Sequence, residues 1–204
     1  MLHHSTPNTT DDLIKHLATD TDDSDLMLSY VKGNTAAFEQ LYSRHKDALY
    51  RFVKNSCSRE AEAHELYQDI WLRVVKGRES YSLGVPFNAW LYRIARNRLV
   101  DHFRQQAASG PNDLYDDQET SNVSVLVVKP LTPDEIASLK ERAEVLSEAL
   151  QVLSPVQREA VLLRHIAGMS VKEVAGVVNE GVETVKSRLR YATARLRLQL
   201  QELS

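Results

Sequence analysis

Apolar residues recur along this chain at spacings of three, four and seven, and the recurrence breaks where Gly, Pro, Asn, Asp or Ser accumulate. Such spacing marks short amphipathic helices, each with one buried stripe. Leu26, Leu28, Tyr30 and Val31 form a first group, which Asp25 is placed to cap and Gly33-Asn34 to end. Phe38, Leu41, Tyr42, Leu49, Phe52 and Val53 predict a second helix. A third opens at Ser58-Arg59-Glu60 and runs to about Val75, with Leu66, Ile70 and Val74 inward. Gly77 to Pro86 reads as a loop, and Leu91, Ile94, Ala95 and Leu99 mark a fourth helix from Phe87 to about Gln105.

The last fifty residues carry sharper punctuation. Ser154-Pro155-Val156-Gln157 combines a capping hydroxyl, a proline where no N–H is needed, and a glutamine able to reach back to the cap. Ser170-Val171-Lys172-Glu173 repeats the capping box after Gly168, a residue suited to end the preceding helix in the left-handed conformation. Val174, Ala175 and Val178 share one face of the helix that follows. Asn179-Glu180-Gly181 then tolerates positive φ, so the chain can turn sharply into a last helix from about Val182 to Leu200. Val185, Leu189, Ala192, Leu196 and Leu200 are its expected buried stripe.

Charge changes this picture. Lys186, Arg188, Arg190, Arg195 and Arg197 line the outer side of the last helix with Ser187 and Tyr191, and no acid lies between Thr184 and Leu200. A capped helix, a tight turn and a basic helix match a helix-turn-helix whose second helix enters a DNA groove. Arginine can grip guanine bidentately, while lysine, serine and tyrosine fix register on phosphates. The net charge of −3 weakens long-range attraction to DNA. A partner that presents the chain to DNA is therefore expected.

Between the helical parts, residues 106–133 are rich in Ser, Gly, Pro, Asn and Asp and read as a flexible linker, interrupted by the strand-prone stretch Val123 to Val128. Residues 1–24 read as a disordered acidic arm. The expected architecture is all-α: two small helical domains, 25–105 and 134–204, the second a helix-turn-helix. No apolar run approaches the ~20 residues of a membrane span, so the expected place is the cytoplasm. The single cysteine, Cys57, excludes an intrachain disulfide and a cysteine-cluster zinc site. His64-Glu65 begins a zinc-protease pattern that Gln68 breaks. No phosphate loop, metal-spaced cluster or nucleophile motif is present, so neither an enzyme nor a cofactor is expected.

Three stretches carry a resemblance: Ala63-His64-Glu65-Leu66-Tyr67-Gln68-Asp69-Ile70-Trp71-Leu72-Arg73, Phe87-Asn88-Ala89-Trp90-Leu91-Tyr92-Arg93-Ile94-Ala95-Arg96-Asn97, and Thr184-Val185-Lys186-Ser187-Arg188-Leu189. In order and separation they resemble the extracytoplasmic-function (ECF) group of sigma-70 initiation factors, over about 25–105 and 140–200. The resemblance implies a factor that binds core RNA polymerase, recognises minus-35 and minus-10 promoter elements and promotes DNA melting, free as a monomer and open to control by an anti-sigma factor.

The resemblance also distributes roles. The third helix would bind polymerase through Glu65, Gln68, Asp69 and Arg73, a polar stripe that reads equally as a solvated face with local ion pairs. His64 departs from the acidic residue usual there. The fourth helix would read the minus-10 element through Trp90, Arg93, Arg96, Asn97 and Arg104, with Arg98 a further phosphate ligand. Tyr81 is the aromatic candidate for a flipped base. Trp90 reads as well as a core tryptophan. The last helix would read the minus-35 element through Thr184, Lys186, Ser187, Arg188, Arg190 and Tyr191. Glu183 departs from the usual glycine, and serves either cytosine recognition or the helix dipole. Asp113, Asp116, Asp117 and Glu119 make the linker either a transcript mimic or a solvated tether. A stand-alone operator-binding regulator is the competing reading; it predicts tight specific binding without polymerase.

Overall fold

The computed structural model describes residues 21–108, 142 and 145–202, and every regular element among them is helical. The acidic arm before Thr21 and the linker from 109 to 133, with its strand-prone and acidic stretches, lie outside the described residues. Helices α1 (Asp23–Val31), α2 (Thr35–Lys54), α3 (Glu60–Lys76) and α4 (Phe87–Ala108) make the first unit, with a 3-10 turn at Arg78–Ser80. Helices α5 (Pro155–His165), α6 (Val171–Val178) and α7 (Val182–Glu202) make the second, preceded by helical residues 145–151.

The first unit packs α1 on α2, α2 on α3 and α3 on α4. The apolar stripes meet as the spacing predicts: Leu41, Leu49, Phe52 and Val53 of α2 are buried with Leu66, Ile70 and Val74 of α3 and Leu91, Ala95 and Leu99 of α4. Aromatic edges fill the seam between α2 and α3, where Phe38 stands T-shaped to Trp71 at 5.9 Å and Tyr42 lies 4.9 Å from it. Two helix starts differ from expectation. Asp22, not Asp25, caps α1 by accepting from the Ser24 N–H at 2.7 Å. Ser58 caps nothing; α3 has Arg59 at its N-cap, where no side chain caps the helix, and Glu60 and Glu62 face the N-terminal dipole instead. α4 also runs one turn past Gln105, to Ala108, into residues expected as linker.

In the second unit Val174, Ala175, Val177 and Val178 of α6 are buried with Leu162 and Leu163 of α5 and Val185 and Ala192 of α7. Leu189 and Leu196 pack at the edge of this core, but Leu200 is 39% exposed, so the apolar stripe ends a turn early. The two units are not separate bodies. α4 packs on α6, and the buried residues of both form one contiguous core.

Candidate nucleic-acid interface

Local chemistry builds the helix-turn-helix. Gln157 Oε1 accepts from the Ser154 N–H at 3.2 Å, and Pro155 opens α5. At α6 the box is reciprocal: Ser170 N–H donates to Glu173 at 2.8 Å while Glu173 N–H donates to Ser170 Oγ at 3.3 Å. The Ser170 hydrogen bonds hold the Glu173 carboxyl below its usual range, against a smaller opposing effect of burial. Gly168 takes φ +69°, and Asn179 sits in the left-handed region at φ 56°, ψ 51°. There the Glu180 N–H bonds back to the Ala175 carbonyl at 3.0 Å and the chain turns into α7.

On α7, Thr184, Lys186, Arg190 and Tyr191 are exposed and Ser187 is half-buried. The Arg190 guanidinium lies over the Tyr191 ring, 5.1 Å from its centroid. Arg188 does not match its expected exposure. Its side chain is 20% exposed, and Nη2 donates to Glu180 at 2.7 Å, so the turn before the helix neutralises it. Lys186 pairs likewise with Glu183 at 2.8 Å. The cationic row is thus partly answered by acids placed just before it in the chain. A groove of about 530 Å³ runs between the start of α5, at Ser154, Val156 and Gln157, and the α7 residues Glu183, Thr184, Ser187, Arg188 and Tyr191.

The α4 surface is more occupied than the sequence implies. Arg93, Asn97 and Arg104 are exposed and Trp90 is half-buried. Tyr81 contradicts the expected free ring: it is 6% exposed, its hydroxyl donates to the Val85 carbonyl at 2.6 Å, and its ring meets Trp90 at 5.4 Å. A ring closed off by its own loop offers no face to a base. Arg98 also differs, because its side chain is 12% exposed and its Nε donates to Asp69 of α3. It ties two helices together and is not positioned to hold a phosphate. Arg96 Nε lies 2.9 Å from Glu159 of α5, and Arg93 donates to the Gly176 carbonyl of α6 at 3.4 Å.

On α3, Glu65, Gln68 and Arg73 are exposed and Asp69 is half-buried. The structure brings them onto one face as the spacing requires. Burial resists ionisation of Asp69, but Arg98 and Arg73 outweigh it and hold the carboxyl below its usual range. His64 turns toward α2, where its Nε2 lies 3.1 Å from the Tyr50 hydroxyl. No local pattern assigns a site role to Asn88, Glu159 or Glu180: the partners of Asn88 and Glu159 lie far along the chain, and Glu180 precedes the basic row that it answers.

Among the described residues no group of three or more His, Cys, Asp or Glu could hold a metal, and no helix is long and apolar enough to cross a membrane. Two joined helical units, one ending in a helix-turn-helix with a cationic last helix, define a bipartite DNA-binding protein. Residues 41–109 match the family model for sigma-70 region 2, and residues 143–196 match that for sigma-70 region 4. SigM of Mycobacterium tuberculosis, an ECF RNA polymerase sigma factor, is 30% identical over 174 residues, covering 85% of this chain and 82% of SigM. CnrH of Cupriavidus metallidurans is 30% identical over 181 residues, covering 86% of this chain and 93% of CnrH. Among solved structures, CnrH in complex with the cytosolic domain of CnrY superposes with TM-score 0.63 at 27% identity, over 89% of this chain and 99% of that one. RpoE of Bartonella quintana in complex with the anti-sigma factor NepR gives 0.62 at 25% identity, over 80% and 96%. The chain belongs to the ECF RNA polymerase sigma factors, and its function is that of an alternative sigma factor in promoter recognition and transcription initiation.

Proposed function

We propose how the parts divide that work. The α3 stripe Glu65, Gln68, Asp69 and Arg73 meets core RNA polymerase. The α4 face with Trp90, Arg93, Arg96, Asn97 and Arg104 reads and opens the minus-10 element. The α7 face with Thr184, Lys186, Ser187, Arg190 and Tyr191 reads the minus-35 element. The observation that carries this reading is the capped α6 and the left-handed turn at Asn179, which leave Thr184, Lys186, Arg190 and Tyr191 of α7 exposed together. Arg188 and Tyr81 take supporting roles, the first clamping the turn through Glu180 and the second bracing the loop before α4. Residues 25–105 and 134–204 act as the two functional domains, with 106–133 between them. The polymerase performs the chemistry; this chain works in the cytoplasm without a catalytic centre of its own. RpoE and CnrH are each found bound to a partner protein, one of them named an anti-sigma factor, and an inhibitor of that kind fits this chain.

The test is promoter opening in vitro with core polymerase and a promoter library, comparing wild type with Gln68→Ala and Arg190→Ala. Gln68→Ala impairs assembly with core. Arg190→Ala weakens or alters minus-35 choice by the ~1–3 kcal/mol of a lost base contact. A chain that binds one duplex site tightly without core and never supports transcription is instead a stand-alone regulator.

A further inference from the structure

One acid, Glu183, opens the cationic row of α7. It falls with Ser187 and Arg190 at i, i+4 and i+7, on the side of the helix opposite the buried Val185 and Ala192. It therefore lies on the outward line of the helix, and it lines the same groove as Thr184, Ser187 and Tyr191. The backbone that carries it is fixed from both sides. Asn179 holds the left-handed turn, the Glu180 N–H bonds back to Ala175, and Arg188 Nη2 donates to Glu180 Oε1 at 2.7 Å, tying the helix to the turn before it.

A carboxylate that enters a groove between two rows of phosphates is repelled, and lowers affinity for every sequence unless a base edge offers it a donor. Cytosine offers its N4 amine in the major groove. Guanine presents O6 and N7 and thymine presents O4, all acceptors, while adenine sets its acceptor N7 beside its N6 amine. The helix dipole favours an acid anywhere in the first turn and does not require one on the outward line.

We infer that Glu183 reads a cytosine of the minus-35 element by accepting from its N4 amine, and that Lys186 serves as its counter-ion only while the chain is free of DNA. The inference rests on the assignment of α7 to the minus-35 element. Lys186 Nζ donates to Glu183 Oε1 at 2.8 Å, with the two side chains 56% and 84% exposed. So open a pair holds little, and beside DNA Lys186 exchanges the carboxylate for a phosphate. The freed carboxylate then meets a donor over cytosine. Over guanine or thymine it is left facing acceptors, so the selectivity comes as much from rejecting those bases as from binding the right one.

Initiation by the full-length chain with core polymerase is measured on promoters whose minus-35 duplex is randomised. Wild type is expected to select cytosine at one position, and thymine there costs it roughly tenfold. Glu183→Ala removes that difference and leaves the preferences at other positions in place. Glu183→Gln moves the preference toward adenine, which an amide bonds at N6 and N7 together. Lys186→Ala lowers initiation on all sequences alike. Glu39→Gln, which removes an exposed acid from α2, changes none of these. Circular dichroism checks the fold, and should Glu183→Ala unfold, the near-isosteric Glu183→Gln decides. If Glu183→Ala raises initiation on all sequences by one factor with base preferences unchanged, the acid only repels phosphates or answers the dipole, and the inference is overturned. A selection without cytosine, or one relaxed by Lys186→Ala instead of Glu183→Ala, overturns it equally. Failure of wild type to support any core-dependent initiation is a different result: it removes the assignment of α7, and the cytosine reading with it.

Discussion

Tyr81 offers the sharpest separation between two roles for one side chain. A ring that stacks on an extruded base works through its face, so Tyr81→Phe would leave both stability and DNA opening intact. A ring that braces its own loop works through burial and its hydroxyl. Here the side chain is 6% exposed and the hydroxyl donates to the Val85 carbonyl at 2.6 Å, spanning the turn that leads into α4. Tyr81→Phe leaves that carbonyl without its donor and is expected to cost about 1 kcal/mol. Tyr81→Ala empties a site lined by Phe87 and Trp90 and is expected to cost about 3–5 kcal/mol, the usual range for a buried ring. For a chain of this length a loss of about 1 kcal/mol lowers Tm by roughly 2–4 °C. Urea denaturation followed by circular dichroism gives both free energies, and promoter opening with core is measured on the same samples. If Tyr81→Phe matches wild type within ~0.3 kcal/mol and Tyr81→Ala loses under ~1 kcal/mol, the ring is not a structural brace.

Other expectations follow from the same contacts. Ser170→Ala removes half of the capping box of α6 and should cost about 1 kcal/mol in the same denaturation assay. Asn179→Ala should destabilise by about 1 kcal/mol, because alanine resists φ 56°, whereas Asn179→Gly should equal or exceed wild type; the reverse order would refute the left-handed turn. Asp23 is held below its usual carboxyl range chiefly by its hydrogen bond to His45, against burial, with Arg44 adding to the effect. The folded chain thus favours the ionised form, so this stabilisation is present above about pH 4 and is lost as pH falls below that. Asp23→Asn should flatten the acid limb of a stability-against-pH curve, and an unchanged limb would remove Asp23 from the account.

What could be read from the sequence was what is settled within a few residues. The two capping boxes, the glycine end of α5 and the left-handed Asn179 depend on neighbours no more than six positions away, and the structure agrees on each. The buried stripes of α2, α3 and α4 follow from helical period alone. The cap of α1 differs from expectation because Asp22, Asp23 and Asp25 all carry the right group, and only the geometry of the Ser24 N–H selects among them. Arg188 looks free in the sequence because the acid that answers it, Glu180, lies before the basic row and reaches it only through the turn. Arg96 and Glu159 lie 63 positions apart, and Asn88 and Ala167 lie 79 apart, so no local pattern announces either contact. Tyr81 illustrates the same limit: a loop aromatic looks available until tertiary packing closes over it.

The bond from Arg98 on α4 to Asp69 on α3 places one carboxylate in two surfaces at once. Asp69 belongs to the stripe proposed for polymerase, and it also fixes how α4 lies against α3. A change selected for tighter or looser attachment to polymerase at this position shifts the promoter helix with it, and the two effects do not add as independent sites would. Within such a lineage, adjustments to enzyme affinity and to strand opening would be inherited as a linked pair, with Arg98 the position at which a compensating change is expected.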